Sequence, residues 1–255
     1  MRGALAITRN TVREVLRERV VLVVALFGVV LAVGAQGLAP LALGEGRKIV
    51  LDFGLAGSSL LATALAVFLG STLLHKELDR RTIYAVMAKP IRREEFLLGK
   101  FLGLWGTSGL LLAGMTGTVM AAVTLFYGET PWGAAQALWL TFLELGIVTS
   151  IVTLFSSFTT PALTAFFTLA AFVAGHFAED LRYFAKQGAS PAVAALTETA
   201  YWALPHLEVF NARGLVAHGI PVEPERLLFA GAYGLLYALG VLAMAGAIFR
   251  RREFK

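Results

Sequence analysis

The chain contains no cysteine. That excludes a disulfide framework, a thiolate metal site and a cysteine nucleophile. Charge is scarce as well: Asp, Glu, Lys and Arg supply 15% of the residues, against 57% hydrophobic ones. Together with a mean hydropathy of +0.72, this excludes a soluble domain, in which about 25% of residues are charged. The composition is that of an all-α integral membrane protein. Catalytic signatures are missing too. Gly99-Lys100 is followed by Phe101 and lacks the earlier glycine of a nucleotide-binding loop, so this chain is not expected to hydrolyse ATP. There is no HExxH pair and no GxSxG elbow. His176, His206 and His218 stand at irregular spacing, with Glu179 and Glu208 nearby, a pattern that is more often structural than metal-binding.

Long apolar runs are what the chain does have. From Arg2 to Arg19 the sequence reads as an amphipathic helix: Leu5, Val12, Val15 and Leu16 share one face, and Arg13, Glu14, Arg17 and Glu18 turn away. Such a helix, residues 1–19, lies in the membrane interface. The uncharged run Val20–Leu43 is longer than the h-region of about 7–15 residues in a signal peptide, so it reads as a first span. Further spans follow at Phe53–Leu74, about Phe101–Phe126, Ala137–Phe155, a short Ala162–Ala178 and Leu227–Phe249. Between them, Gly44–Asp52 with Arg47 and Lys48 reads as an outer loop, Tyr127–Gln136 as an outer turn and Ser156–Pro161 as a tight inner reversal. Residues 178–226 are acidic on balance and broken by prolines. They form an outer cap too small for a core of its own, with Pro191–Ala203 a candidate surface helix.

The distribution of basic residues orients this six-span arrangement. Sixteen of the 22 Lys and Arg fall on the side of the two termini and of residues 76–100. By the positive-inside rule that side is cytoplasmic. The net charge of +5 follows from the same topology, so nucleic acid is not an expected partner; the lipid bilayer is. Two features inside the spans invite a role. Glu144 is a carboxyl group deep in an apolar run, where it either makes a hydrogen-bonded packing contact or meets a substrate or ion. Gly99, Gly103, Gly106, Gly109, Ala113 and Gly117 recur near the helical period, a stripe that allows close helix packing within the chain or between two subunits.

The one long charged interruption in the first half is Lys76–Lys100, KELDRRTIYAVMAKPIRREEFLLGK. Within it, Thr82–Met87 is a short apolar run closed by Ala88-Lys89-Pro90, where Pro90 biases Lys89 away from helix. The loop is either a basic segment resting on lipid headgroups or a docking helix for a partner. Lys76-Glu77, Arg81-Thr82-Ile83, Lys89-Pro90-Ile91-Arg92-Arg93 and Leu98-Gly99-Lys100 resemble the first cytoplasmic loop of ABC-2 type transporter permeases, although Arg80-Arg81 stands where many relatives have glycine before the threonine. The Ser156-Ser157 turn is similar to the same family. Leu204-Pro205-His206-Leu207-Glu208-Val209-Phe210-Asn211 and Ala217-His218-Gly219 look like the outer segment of those permeases related to nitrous oxide reductase maturation.

The resemblance covers nearly the whole chain and implies a single permease domain, residues 1–255, that works as a pair of subunits. Each subunit would dock a separate ATPase, which holds the ATP and Mg, through a coupling helix. Glu77, Arg81, Thr82, Ile83, Tyr84, Met87, Pro90 and Arg93 are the coupling residues it implies. Export by alternating access from the cell's cytoplasmic membrane is the function it implies. A membrane scaffold without ATP coupling and an intramembrane enzyme are the alternatives, and the second is disfavoured because Glu144 is the only acidic residue deep in a span.

Overall fold

The computed structural model describes residues 2–17, 20–38, 44–79, 93–186 and 190–251. All regular elements among them are helical: α1 (Arg2–Arg17), α2 (Val20–Leu38), α3 (Gly46–Asp79), α4 (Arg93–Tyr127), α5 (Gly133–Ser156), α6 (Pro161–His176), α7 (Ala178–Lys186), α8 (Pro191–Ala203), a 3₁₀ turn (Leu207–Phe210), α9 (Arg213–Ala217) and α10 (Pro224–Arg251).

Local chemistry sets the boundaries. Gly128, at φ 74°, takes the left-handed conformation that ends α4. Pro161 and Pro191 each open a helix at its first turn, where a missing N–H costs nothing. The reversal before α6 is closed by Thr159 Oγ1 at 2.8 Å from Thr164 Oγ1 and by Ser157 Oγ donating to the Leu154 carbonyl at 2.6 Å.

Among the described residues, four helices are long and apolar enough to cross a membrane, at Gly46–Thr72, Glu95–Tyr127, Gly133–Ser156 and Pro224–Phe249. Two expected spans are not among these four. α2 is described over Val20–Leu38, 19 residues without a charge, and residues 39–43 of the expected run lie outside the described residues. α6 has 16 residues, about 24 Å of helix against a hydrocarbon core of about 30 Å. The loop expected at Gly44–Asp52 is also shorter than its charges suggested. Arg47, Lys48 and Asp52 belong to the opening turns of α3, where Lys48 pairs with Glu45 at 2.7 Å and Arg47 lies 3.4 Å from Glu129.

α5 is the central pillar: every residue from 143 to 153 is buried. α3, α4, α6 and α10 pack around it, and Leu140, Leu143, Ile147 and Ile151 anchor the main core. The outward faces carry Leu26, Val33, Phe53, Phe68, Leu125, Phe166, Leu228 and Leu236, each more than half exposed. A continuous apolar exterior of this extent is solvated by lipid rather than water.

Candidate functional site

Two regions gather polar groups that an apolar bundle does not need for packing. The first is the base of α4. α3 and α4 have 34 and 35 residues, each about 50 Å long, so both legs outreach the hydrocarbon core before the chain enters residues 80–92. Arg81, Thr82, Ile83, Tyr84, Met87 and Pro90 lie outside the described residues, while Glu77 and Arg93 are on the ends of α3 and α4. α1 lies along α4. Its contact face is small and polar: Thr8 Oγ1 donates to the Gly99 carbonyl at 3.1 Å, and a Cβ on Gly103 would fall 2.6 Å from Thr11 Cβ. Leu5, by contrast, is 74% exposed, facing outward as the amphipathic pattern requires. Lys100 is buried on the same stretch of α4, and Phe96 stacks on Phe249 of α10 at 6.4 Å. The glycine stripe divides. Gly103 faces Thr11 and Gly109 faces Phe142, whereas among the described residues nothing lies within 4 Å of a Cβ added at Gly106 or Gly117.

The second region is a re-entrant segment between α8 and α10. Instead of resting on top of the bundle, residues 205–222 enter it, and Leu207, Phe210, Ala212, Val216 and Val222 join the core of α5 and α10. Three glycines on three helices make the room. An added Cβ would come 2.6 Å from the Pro205 carbonyl oxygen at Gly175 of α6, 3.2 Å from Phe210 at Gly234 of α10 and 3.3 Å from Val216 at Gly133 of α5. Non-helical backbone inside a bundle needs its polar groups satisfied by protein. Tyr233 Oη accepts from the His206 amide at 2.8 Å, and Tyr237 Oη donates to the Ala203 carbonyl at 3.2 Å. Arg226 donates to the carbonyls of Val209 and Asn211, and the Val222 amide donates to Gln136 Oε1. Within the segment, Asn211 bridges two charges: its Nδ2 donates to Glu208 Oε1 at 2.9 Å and its Oδ1 accepts from Arg213 Nε at 3.1 Å.

Below this segment, halfway along α5, lies Glu144. Three hydroxyls of α5 are satisfied within the helix: Thr149 donates to the Leu145 carbonyl, Ser150 to Ile147 and Thr153 to Thr149, all at 2.7 Å. A carboxyl cannot fold back in that way. Glu144 reaches across to the last residue of α6, with Oε1 3.4 Å from His176 Nε2, and the two side chains are 3% and 16% exposed. The other imidazole nitrogen, Nδ1, is 3.1 Å from the Phe172 carbonyl oxygen. Sequence reasoning singled out Glu144 and grouped His176 with His206 and His218. It missed their pairing, because α6 ends short and leaves His176 level with the middle of α5.

The surface part of the cap is held separately. Arg182 of α7 forms a two-pronged pair with Glu198 of α8 at 3.0 and 2.7 Å, and its guanidinium sits 4.3 Å over Tyr201. The hydrogen bonds to Glu198 raise the arginine's already high affinity for its proton. Among the described residues, no three His, Asp or Glu side chains converge as a metal-binding group.

None of the curated proteins matches the chain. A family model described as "ABC-2 family transporter protein" does match, over residues 5–253. That match spans α1, the two long legs, the central pillar, the re-entrant segment and α10 together, and the chain therefore belongs to the ABC-2 family of transporter proteins, as a membrane-embedded transport component.

Proposed function

We propose that the chain is the permease subunit of an ABC exporter, driven by a separate ATPase that docks on residues 76–100. The observation that carries this reading is the family match over residues 5–253. The lengths of α3 and α4 support it, because two continuous helices joined by a short basic loop are a rigid means of conveying motion from a docked partner into the bundle. In this reading Thr82–Met87 is the docking helix and Ile83, Tyr84 and Met87 are its apolar anchors. Glu77, Arg81, Pro90 and Arg93 frame it. ATP and Mg belong to the partner, a second permease copy or paralogue completes the translocation path, and both termini lie on the cytoplasmic side of the cell membrane.

Ile83→Asp tests the coupling. Burying a charge in an apolar groove is costly, and loss of an anchor costs about 2–4 kcal/mol. The variant should insert and fold while the co-expressed ATPase is lost on purification or ceases to respond in lipid. Equal recovery and equal ATPase rates would move the contact elsewhere and return the loop to the lipid headgroups.

A further inference from the structure

A carbonyl oxygen can only accept a hydrogen bond, so the 3.1 Å contact between His176 Nδ1 and the Phe172 carbonyl fixes a proton on Nδ1. Nε2 is then either a bare lone pair or the second N–H of an imidazolium. It faces Glu144 Oε1 at 3.4 Å in a pair almost closed to solvent. Glu144 Oε1 has no hydrogen bond among the described residues. A carboxylate opposite a bare Nε2 sets lone pair against lone pair in a medium of low polarity, which is repulsive. A carboxylic acid donating to Nε2, or an imidazolium donating to a carboxylate, is attractive. Both attractive forms contain one proton between the two groups, and both leave the pair with no net charge.

No other group supplies that neutrality. Glu144 is the sole titratable residue of α5, and His176 is the sole one of α6. α3 and α4, which flank α5, carry none between residues 53 and 74 or between 101 and 126. α10 offers Tyr233 and Tyr237, whose hydroxyls are engaged with His206 and Ala203, and Arg226, held on the carbonyls of Val209 and Asn211. Among the described residues, the charges whose field reaches Glu144 are Arg213 and Glu208. They have opposite signs and are already linked through Asn211.

We propose that Glu144 and His176 form a buried proton-binding site, and that the single proton they share latches the end of α6 against α5. The latch extends to the re-entrant segment, because the Pro205 carbonyl rests on Gly175, the neighbour of His176. Without the proton, α6 is pushed from α5 at the point where the segment is seated.

Nitrogen-15 histidine spectra of the purified permease in lipid nanodiscs test this with no ATPase present, so the outcome is independent of how the partner docks. The His176 signal is the one missing from His176→Gln. In wild type it should show a protonated Nδ1 and an Nε2 engaged in a hydrogen bond or protonated; in Glu144→Ala, Nε2 should move to the position of a free lone pair. If Glu144→Ala does not fold, Glu144→Gln serves, because its amide still offers a donor to Nε2 and should keep Nε2 engaged. A bare Nε2 in wild type, a bare Nδ1, or a His176 signal unchanged by Glu144→Ala would overturn the proposal. Amide exchange of residues 205–217 tests the latch. It should quicken at least tenfold in His176→Ala while residues 191–203 keep their wild-type rate, and unchanged exchange in 205–217 would remove the link between pair and segment.

Discussion

α5 and α10 are nearly equal in mean hydropathy, at 1.9 and 2.0, yet 72% of the most apolar stretch of α5 is buried in the protein against 28% for α10. Apolar content therefore says that a helix enters the membrane and nothing about which neighbours it meets there. The difference lies in the minority residues. α5 carries Thr141, Glu144, Thr149, Ser150, Thr153 and Ser156, all buried, and small or hydroxylated residues allow close approach where protein replaces lipid. α10 places Leu228, Leu235, Leu236, Leu239 and Met244 outward, where one aliphatic side chain serves as well as another.

The sharpest way to break the comparison is to crowd the pillar from α4. Gly109→Leu drives a side chain into Phe142 of α5, where even a Cβ comes within 2.4 Å. It should prevent folding or lower stability by about 3 kcal/mol, at the upper end of overpacking costs. Gly106→Leu, where nothing among the described residues lies within 4 Å of an added Cβ, should leave the thermal midpoint of the single chain unchanged. Loss of a dimer in that variant, seen by size-exclusion chromatography with light scattering, would assign that position to a second copy. Next in size, Leu145→Ala, at a position with no exposure, should cost about 2–5 kcal/mol. Leu236→Ala on α10, 70% exposed, should cost under about 0.5 kcal/mol; comparable midpoint losses for the two would show that α10 is covered by protein. Between those two falls Tyr233→Phe, which removes the acceptor of the His206 amide and should cost about 1 kcal/mol, with faster exchange at that amide and no change at α5.

Much of this architecture can be read locally. α8 begins and ends at Pro191 and Ala203, as a proline start and a following Leu204-Pro205 stop dictate, and the reversal at Ser156–Pro161 is written in its hydroxyls and proline. Glu144 stands out in any reading, because a carboxyl in an apolar run must be accommodated. Arg47 and Lys48 misled because charges were taken to mark a loop, whereas a helix can carry them once its first turn clears the apolar layer. The entry of residues 205–222 was illegible for a different reason. Its polar groups are satisfied from 15 to 86 residues away, by Arg226, Tyr233 and Gln136, and no local pattern encodes such partners. Nor does the α4 stripe reveal that Gly103 is paired with Thr11 while Gly106 meets nothing among the described residues.

The partners of the re-entrant segment also impose an order on how the protein is made. Gln136, Gly133 and Gly175 precede the segment, but Arg226, Tyr233 and Gly234 follow it, so a ribosome delivers residues 205–222 before part of their seat. Until α10 enters the membrane, the carbonyls of Val209 and Asn211 have no guanidinium and the His206 amide has no phenol. Until then the segment's polar backbone needs water in their place. Insertion of α10 is thus the event that completes the seating of the segment against α5 and α6.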